Sequence, residues 1–276
     1  MRLIDLHHLG RARVIGCWQV EDVLIDPGPS SCLDTLLSEL DGFEPRALLL
    51  THIHLDHAGA SGSLASRWPD LEVYVHEVGA PHMRDPSRLL ESAKRLYGDD
   101  MDRLWGEFVA VPESQLHSLS GGERLFDAFE VAYTPGHASH HVSYLHQQTA
   151  FVGDVGGVRI TNGGPTIPPM PPPDLDLQAW HESIDLVRRW QPRRLAMTHF
   201  GASDDVEAQL DQLSRRMDEL SQRAREQDET EFVAELRAEI EREAEPGTAA
   251  AYEQAVPPDQ IYQGLERFWR KATVEP

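Results

Sequence analysis

The chain has 276 residues, 40% of them hydrophobic, and a formal net charge of −21 at pH 7. This length is enough for one large α/β domain with a substantial core and a helical annex. No window approaches the roughly 18 apolar residues of a membrane span, and the first residues lack the apolar stretch of a signal peptide. The acidic surface repels nucleic-acid phosphates. We therefore expect neither a nucleic-acid partner nor a membrane partner.

Cysteine usage points to the compartment. The two cysteines of the chain, Cys17 and Cys32, are not spaced as a zinc-binding pair. We expect reduced thiols in a cytoplasmic protein, with a single disulfide between them as the alternative.

A histidine cluster follows the first strongly predicted strand. The apolar run Ala47-Leu48-Leu49-Leu50 predicts a strand buried on both faces. It leads into Thr51-His52-Ile53-His54-Leu55-Asp56-His57, which places three imidazoles and a carboxylate on one turn. Both are ligand types that Zn²⁺ accepts. Alternate residues of an extended segment point the same way, so His52 and His54 can serve one metal while Asp56 and His57 serve a neighbouring one.

The next segments predict helices and one more strand. Residues 61–68 predict a helix, and Val73-Tyr74-Val75 predicts a strand. Residues 87–108 then carry apolar side chains at helical spacing. The simplest interpretation is a pair of amphipathic helices that covers the sheet.

Three further segments repeat the order of apolar run, turn and metal-ligand type. Residues 129–134 lead to His137, residues 150–152 lead to Asp154, and residues 194–197 lead to His199. A lone histidine or aspartate at a strand end more often makes a structural hydrogen bond. Because the cluster at His52 to His57 already predicts a metal site, we treat all three as candidate ligands.

A proline-rich loop follows Asp154. Residues 156–173 include the run Pro168-Pro169-Met170-Pro171-Pro172-Pro173, which favours an extended polyproline conformation. It is either a linker or a stiff wall beside the metals. We favour the wall because residues 176–190 resume a helix with buried positions.

The C-terminal quarter is predicted to be helical. A helix is expected to begin with Ser203 as the capping residue, with apolar positions alternating at spacings of four and three. Residues 228–245 predict a highly charged, mostly solvated helix, and a terminal helix has one apolar face. We divide the chain into a catalytic domain, residues 1–202, and a helical extension, residues 203–276. The extension packs on the catalytic domain or on the partner in a homodimer.

These motifs resemble, in their order, those of the metallo-β-lactamase-fold hydrolases, and of the glyoxalase II and lactonase branches in particular. The resemblance runs from Asp26 to His199 and implies an α/β fold, a four-layer αββα sandwich. It also implies a helical insertion, residues 84–118, that caps the active site. The implied ligands of a first metal are His52, His54 and His137, and those of a second are Asp56, His57 and His199. Asp154 bridges the two metals, and Asp26 orients the ligand loop from behind.

The resemblance implies hydrolysis by a hydroxide that bridges the two metals and attacks a small ester, thioester or lactone carbonyl. Metal coordination lowers the pKa of bound water to about 7, so hydroxide is available near neutral pH. Asp154 and Asp56 are the predicted catalytic carboxylates, and Asp154 holds the hydroxide in line. Zinc is the expected metal, with manganese or iron as alternatives, because geometry and availability select among them more than ligand type does.

Other functions remain open. A phosphodiesterase uses the same two-metal clamp for attack at phosphorus. A mononuclear iron enzyme resembling persulfide dioxygenases uses His52, His137 and Asp154. A non-catalytic protein is disfavoured because a chain of this size does not need buried ligand clusters in order to fold.

Three residues are candidates for contact with a small-molecule substrate. Arg159 can pair with a carboxylate, although a surface guanidinium is the commoner outcome. His140 and His141 follow His137 closely, and a structural hydrogen bond to the turn has at least equal weight for each.

Overall fold

Two six-stranded sheets form the centre of the protein, whose computed structural model describes residues 1–272. The first sheet has its strands in sequence order. Its first three strands are antiparallel, and the third to the sixth run parallel to one another. The strands are β1 (Arg2–Asp5), β2 (Gly16–Val20), β3 (Val23–Ile25), β4 (Ala47–Leu49), β5 (Glu72–His76) and β6 (Leu116–Leu119).

The second sheet is built from the later part of the chain, in the order β12-β11-β10-β9-β8-β7. Strands β10 and β11 are its parallel pair, so their carboxyl ends lie at the same edge. The strands are β7 (Arg124–Leu125), β8 (Phe129–Tyr133), β9 (Val142–His146), β10 (Thr149–Phe151), β11 (Arg194–Met197) and β12 (Gly201–Ser203).

The helices cover the outer faces of the sheets and fill the C-terminal quarter. They are α1 (Leu33–Leu40), α2 (Leu55–Ala58), α3 (Ser61–Arg67), α4 (Ala80–Arg84), α5 (Ser87–Tyr97), α6 (Met101–Trp105), α7 (Leu177–Arg189), α8 (Val206–Glu226), α9 (Glu229–Glu243), α10 (Ala249–Ala255) and α11 (Pro258–Ala272). No helix among residues 1–272 is both long and apolar enough to cross a membrane.

Side-chain alternation along the strands produces the layers. Leu49 of β4 packs with Trp18, Phe129 and Phe151 in a core between the two sheets. Its neighbour Leu48 points the other way, into the core that the sheets share with the helices. The result is the predicted αββα sandwich, because each sheet is apolar on both faces and must be covered on both.

In the C-terminal quarter, the start of the first helix differs from the sequence-based prediction. Ser203 does not cap a helix, since it ends β12 opposite Leu195, and α8 begins later at Val206. The charged helix α9 is mostly exposed, as predicted, but Phe232, Leu236 and Ile240 recur every four residues and form a narrow buried stripe on it. The last four residues of the predicted extension lie outside the described part of the chain.

Candidate metal centre

The strand ends that carry the candidate ligands meet at one edge of the sandwich. In the first sheet, Ile25 of β3 pairs with Leu49 of β4, so Asp26 and Thr51 leave the sheet side by side. In the second sheet, β10 and β11 deliver Asp154 and His199 in the same way. The two edges are joined where the amide of Val142 donates to the carbonyl of Thr51. The sheet register therefore brings together side chains that are far apart in sequence.

The seven predicted ligands form two adjoining groups. The donor atoms within each group lie within 4.8 Å of one another. The first group is His52, His54, His137 and Asp154, and the second is Asp56, His57 and His199.

The Asp154 carboxylate lies between the two groups. Its Oδ2 is 3.3 Å from Nε2 of His137, in the first group. Its Oδ1 is 3.1 Å from Nε2 of His57 and 3.6 Å from Nε2 of His199, in the second. Each oxygen therefore faces a different group, so Asp154 would be shared by both metals if two were bound.

Unsatisfied nitrogen atoms show that the site fits metal ions. Nε2 of His52 is buried and has no hydrogen-bond partner among the described residues, although buried polar groups are normally paired. Nε2 of His137 lies 2.9 Å from Nδ1 of His54, and Nε2 of His57 lies 3.3 Å from Nε2 of His199. Imidazole nitrogens and carboxylate oxygens are the donor set of transition-metal sites. When several such donor atoms converge in a buried space, their lone pairs and negative charges repel one another. Bound cations would remove this repulsion.

Four of the histidine rings are held from behind. Nδ1 of His57 is 2.8 Å from Asp26 Oδ2, and Nδ1 of His199 is 2.6 Å from the carbonyl of Val14. Nδ1 of His137 donates to the carbonyl of Pro169 at 2.8 Å, and Nδ1 of His52 lies 3.1 Å from the hydroxyl of Thr51. In each case the second nitrogen, Nε2, is left to face the centre. Such contacts fix the orientation of a ligand ring.

Asp26 is the main support of the site. Its carboxylate is fully buried and accepts hydrogen bonds from the Thr51 amide and hydroxyl at 2.8 and 2.7 Å. It also accepts from the Thr198 hydroxyl and from His57 Nδ1, both at 2.8 Å. One side chain thus ties together the segments that carry His52, His57 and His199. This is the position predicted for it from the sequence.

Charge in the centre is arranged to attract cations. Burial opposes ionisation of Asp154, but His57, His137 and His199 outweigh it and hold the pKa of Asp154 well below its usual range. Burial lowers the pKa of His54 to about 3, so this ring is neutral and its nitrogen is a competent ligand. Burial likewise disfavours the charged form of His57, yet Asp154, Asp56 and Asp26 raise its pKa. The same negative charge that favours a proton there favours a metal cation.

The predicted substrate contacts have different outcomes. His140 lines the cavity above the centre. His141 is buried behind it, with Nδ1 2.9 Å from the Thr134 hydroxyl and its ring stacked on His52. The structure does not bring Arg159 to the cavity, because its side chain turns to α8 and donates to Gln209 at 3.0 Å. Its backbone amide instead donates to the His199 carbonyl at 2.7 Å.

A cavity of about 720 Å³ opens above the candidate ligands. Its walls are formed by α5, α6, the proline-rich loop and α11. Helices α5 and α6 thus lie over the site, where the resemblance places a cap. The proline-rich loop is a wall, as predicted, and Pro169 also contributes the carbonyl that orients His137.

Several functional atoms were missed by sequence reasoning. The carbonyls of Val14 and Pro169 have no residue-type signature, so nothing in the sequence marks them. Tyr97 and Gln260 of the cavity wall were not singled out either. For Tyr97 a signal existed in the amphipathic pattern of residues 87–108, which lie between the ligand motifs of His57 and His137.

Removing one hydrogen bond from Asp26 is expected to destabilise the protein. In Thr198→Val the carboxylate loses a donor while the side chain keeps its shape, and a hydrogen bond to a charged group contributes about 1.5–3 kcal/mol. Thr166→Val is a matched control, because Thr166 is equally buried and its hydroxyl has no partner among the described residues. Urea unfolding should show the loss in the first variant and no loss in the second. Equal stability of the two would contradict the role of Asp26.

Gly264 is expected to control the position of the Pro169 carbonyl. A Cβ at residue 264 would collide with the carbonyl oxygen of Met170 and lie 2.9 Å from its carbon, so Gly264→Ala must displace the proline-rich loop. Loss of a contact that orients a metal ligand typically weakens metal affinity about 10-fold or more. In the control Gly163→Ala, the new Cβ meets only the flexible end of Glu245. Competition with a metallochromic chelator should give weaker metal binding for Gly264→Ala alone, and unchanged binding would show that the loop does not position His137.

Comparison with known sequences identifies the family. A model of the metallo-beta-lactamase superfamily matches residues 21–199, which include all seven candidate ligands and Asp26. The metallo-beta-lactamase fold-containing protein ST1585 of Sulfurisphaera tokodaii is 28% identical over 194 residues, which are 67% of this chain and 70% of that protein. A hydroxyacylglutathione hydrolase of Xylella fastidiosa is 32% identical over 149 residues. These are 52% of this chain and 46% of the hydrolase, so the match spans about half of that enzyme.

Solved structures agree on the fold. The structure of ST1585 from Sulfolobus tokodaii superposes with a TM-score of 0.66 at 23% identity, over 92% of this chain and 93% of that one. The structure of TTHA1623 in a di-iron-bound form gives a TM-score of 0.55 at 28% identity, over 70% of this chain and 92% of that one. The resemblance seen in the sequence motifs is confirmed: the chain belongs to the metallo-beta-lactamase superfamily.

Proposed function

We propose that the protein is a hydrolase that uses two divalent metal ions to cleave an ester, thioester or lactone. The observation that carries the proposal is the complete set of seven donor side chains, five of which line a cavity, with Asp154 between the two groups. His52, His54 and His137 would hold one ion, and Asp56, His57 and His199 the other. The hydroxyacylglutathione hydrolase relatives support hydrolysis as the reaction. Because the structure of TTHA1623 is di-iron-bound, iron is a candidate metal along with zinc and manganese.

When bound, the metals supply Lewis acidity and lower the pKa of water to about 7. The chain supplies orientation and charge. Asp154 stays ionised, so its oxygens can accept hydrogen bonds from a water molecule and hold it between the two groups. Asp56, 3.2 Å from His199 Nε2, adds a second negative charge that balances the cations.

Tyr97 is the hydrogen-bond donor that we assign to the substrate. It lies in the cavity wall, and burial together with the charges of Asp56 and Asp154 raises its pKa. Like any tyrosine hydroxyl it is protonated at neutral pH, so it can donate to the carbonyl or leaving-group oxygen. Donors placed where negative charge develops contribute strongly to acyl transfer.

The proposal is tested by metal content and turnover together. Purified protein is analysed for metals, stripped with a chelator and reloaded with zinc, manganese or iron, then assayed on an ester, a thioester, a lactone and a phosphodiester. We expect two metals per chain and turnover of a carbonyl substrate that is lost on stripping and restored on reloading. Asp154→Asn should reduce kcat about 100-fold or more, because removal of a group that acts on the reacting atoms costs at least this much.

The control for Asp154→Asn is His117→Asn, which changes a partly exposed histidine of β6 outside the cavity. It should retain full activity. Turnover of the phosphodiester alone would replace the proposal with a phosphodiesterase. One iron per chain with oxygen consumption would replace it with an iron oxygenase.

A further inference from the structure

The cavity above the candidate metal centre has an apolar wall that is not covered by the rest of the protein. Helix α5 and helix α6 contain no fully buried residue, in contrast to α7 and α8. Apolar side chains that stay half exposed forgo the free energy of burial. Those that face the cavity are Leu89, Ala93, Leu96, Leu104 and Trp105.

The facing wall is apolar as well. Pro171 of the proline-rich loop, Val256 and Ile261 line the opposite side of the cavity. This wall is held in place, because Arg267 and Lys271 of α11 donate to the Pro173 carbonyl at 3.3 and 3.1 Å. At about 720 Å³ the cavity is of the size that holds a drug-sized ligand, far larger than an acetyl group requires.

Positive charge marks the opening of the cavity. Arg88 and Arg95 of α5 and Arg267 of α11 line it; Arg88 and Arg95 are exposed, and Arg95 also pairs with Glu91 at 3.2 Å. Apart from the candidate ligands Asp56 and Asp154, Asp174 is the one acidic residue among the described lining residues, and it accepts a hydrogen bond from the Ser139 amide at 2.8 Å. The whole chain has a net charge of −21, whereas arginines outnumber the acidic residues other than candidate ligands at this opening. It is complementary to a negatively charged ligand.

We infer that the substrate of the hydrolase proposed above is an ester or thioester with a long apolar acyl group and an anionic leaving portion. The acyl chain covers the exposed face of α5 and α6, which places the carbonyl over the donor cluster, the name we give to the seven candidate metal ligands. The anionic group, a carboxylate or a phosphate, pairs with Arg88 and Arg95. Hydrolysis adds water across the acyl bond, so a fatty carboxylic acid and an anionic alcohol or thiol leave the site.

The test uses four thioesters that combine two acyl groups with two thiols. Acetyl and octanoyl groups are each joined to N-acetylcysteamine, which is uncharged, and to 3-mercaptopropionate, which is anionic. On metal-loaded protein we expect kcat/KM to be about 30-fold or more higher for octanoyl than for acetyl, because six further methylenes are buried. We expect about 5-fold higher kcat/KM for the anionic thiol at low ionic strength, with the difference shrinking as salt is added.

Matched variants separate the two parts of the inference. Leu96→Ser should reduce the ratio of octanoyl to acetyl kcat/KM about 10-fold, whereas Leu37→Ser, at a partly buried position of α1 outside the cavity, should not alter this ratio. The double variant Arg88→Gln/Arg95→Gln should abolish the preference for the anionic thiol. Arg103→Gln, an exposed arginine of α6 that does not line the cavity, should keep it.

Binding provides a readout independent of turnover. By calorimetry, octanoate should bind the metal-loaded protein about 10-fold or more tighter than acetate, and Leu96→Ser should remove most of the difference. Acetyl thioester turnover without an octanoyl preference would overturn the inference and leave the hydrolase standing. Absence of turnover on all four thioesters with metal bound would also overturn the inference, and failure of the ester and lactone assayed above in addition would contradict the hydrolase.

Discussion

The buried carboxylate of Asp26 is the interaction on which the site depends. A charge that is removed from water is tolerated only when its lone pairs are satisfied, and Asp26 accepts from Thr51, Thr198 and His57. These partners come from the ends of β4 and β11 and from α2. The bonds therefore fix the distance between the two sheets at the edge where the ligands emerge. The core between the sheets, around Trp18 and Phe151, holds the same spacing from within.

Without bound cations, holding the side chains of the donor cluster close together costs free energy. Imidazole nitrogens face one another, with Asp154 buried and Asp56 partly buried among them. The free energy for holding them together comes from elsewhere in the fold, from the apolar layers and from the carbonyls of Val14 and Pro169. This preorganisation lowers the cost of forming the site when metals bind, since the ligands need not be collected from separate loops.

The convergence of the candidate ligands was predictable from sequence because each candidate follows a short apolar strand. Parallel neighbours end at the same edge, so strand order alone brings Asp26 next to His52, and Asp154 next to His199. The sandwich followed from the resemblance of these motifs to a known fold. The supporting carbonyls were not predictable, because a backbone oxygen carries no residue-type signal. The prediction that Arg159 contacts the substrate was wrong. Val158 pairs with Ile167, and the Arg159 side chain points toward α8.

Local charge correctly indicated that most of α9 is exposed, but it hid the buried stripe of this helix. Its acidic residues suggested a solvated helix, but Phe232, Leu236 and Ile240 form a narrow buried stripe. Such a stripe needs only one residue per turn, so an average over the segment hides it. The same reasoning applies to Ser203, whose residue type suits a cap but whose backbone pairs with β11.

Anomalous diffraction from crystals of the metal-loaded protein is the most direct test of the central claim. The structure predicts two metal peaks, one bound by His52, His54 and His137 and the other by Asp56, His57 and His199, with Asp154 in contact with both. A single peak, or metal bound away from these side chains, would contradict it.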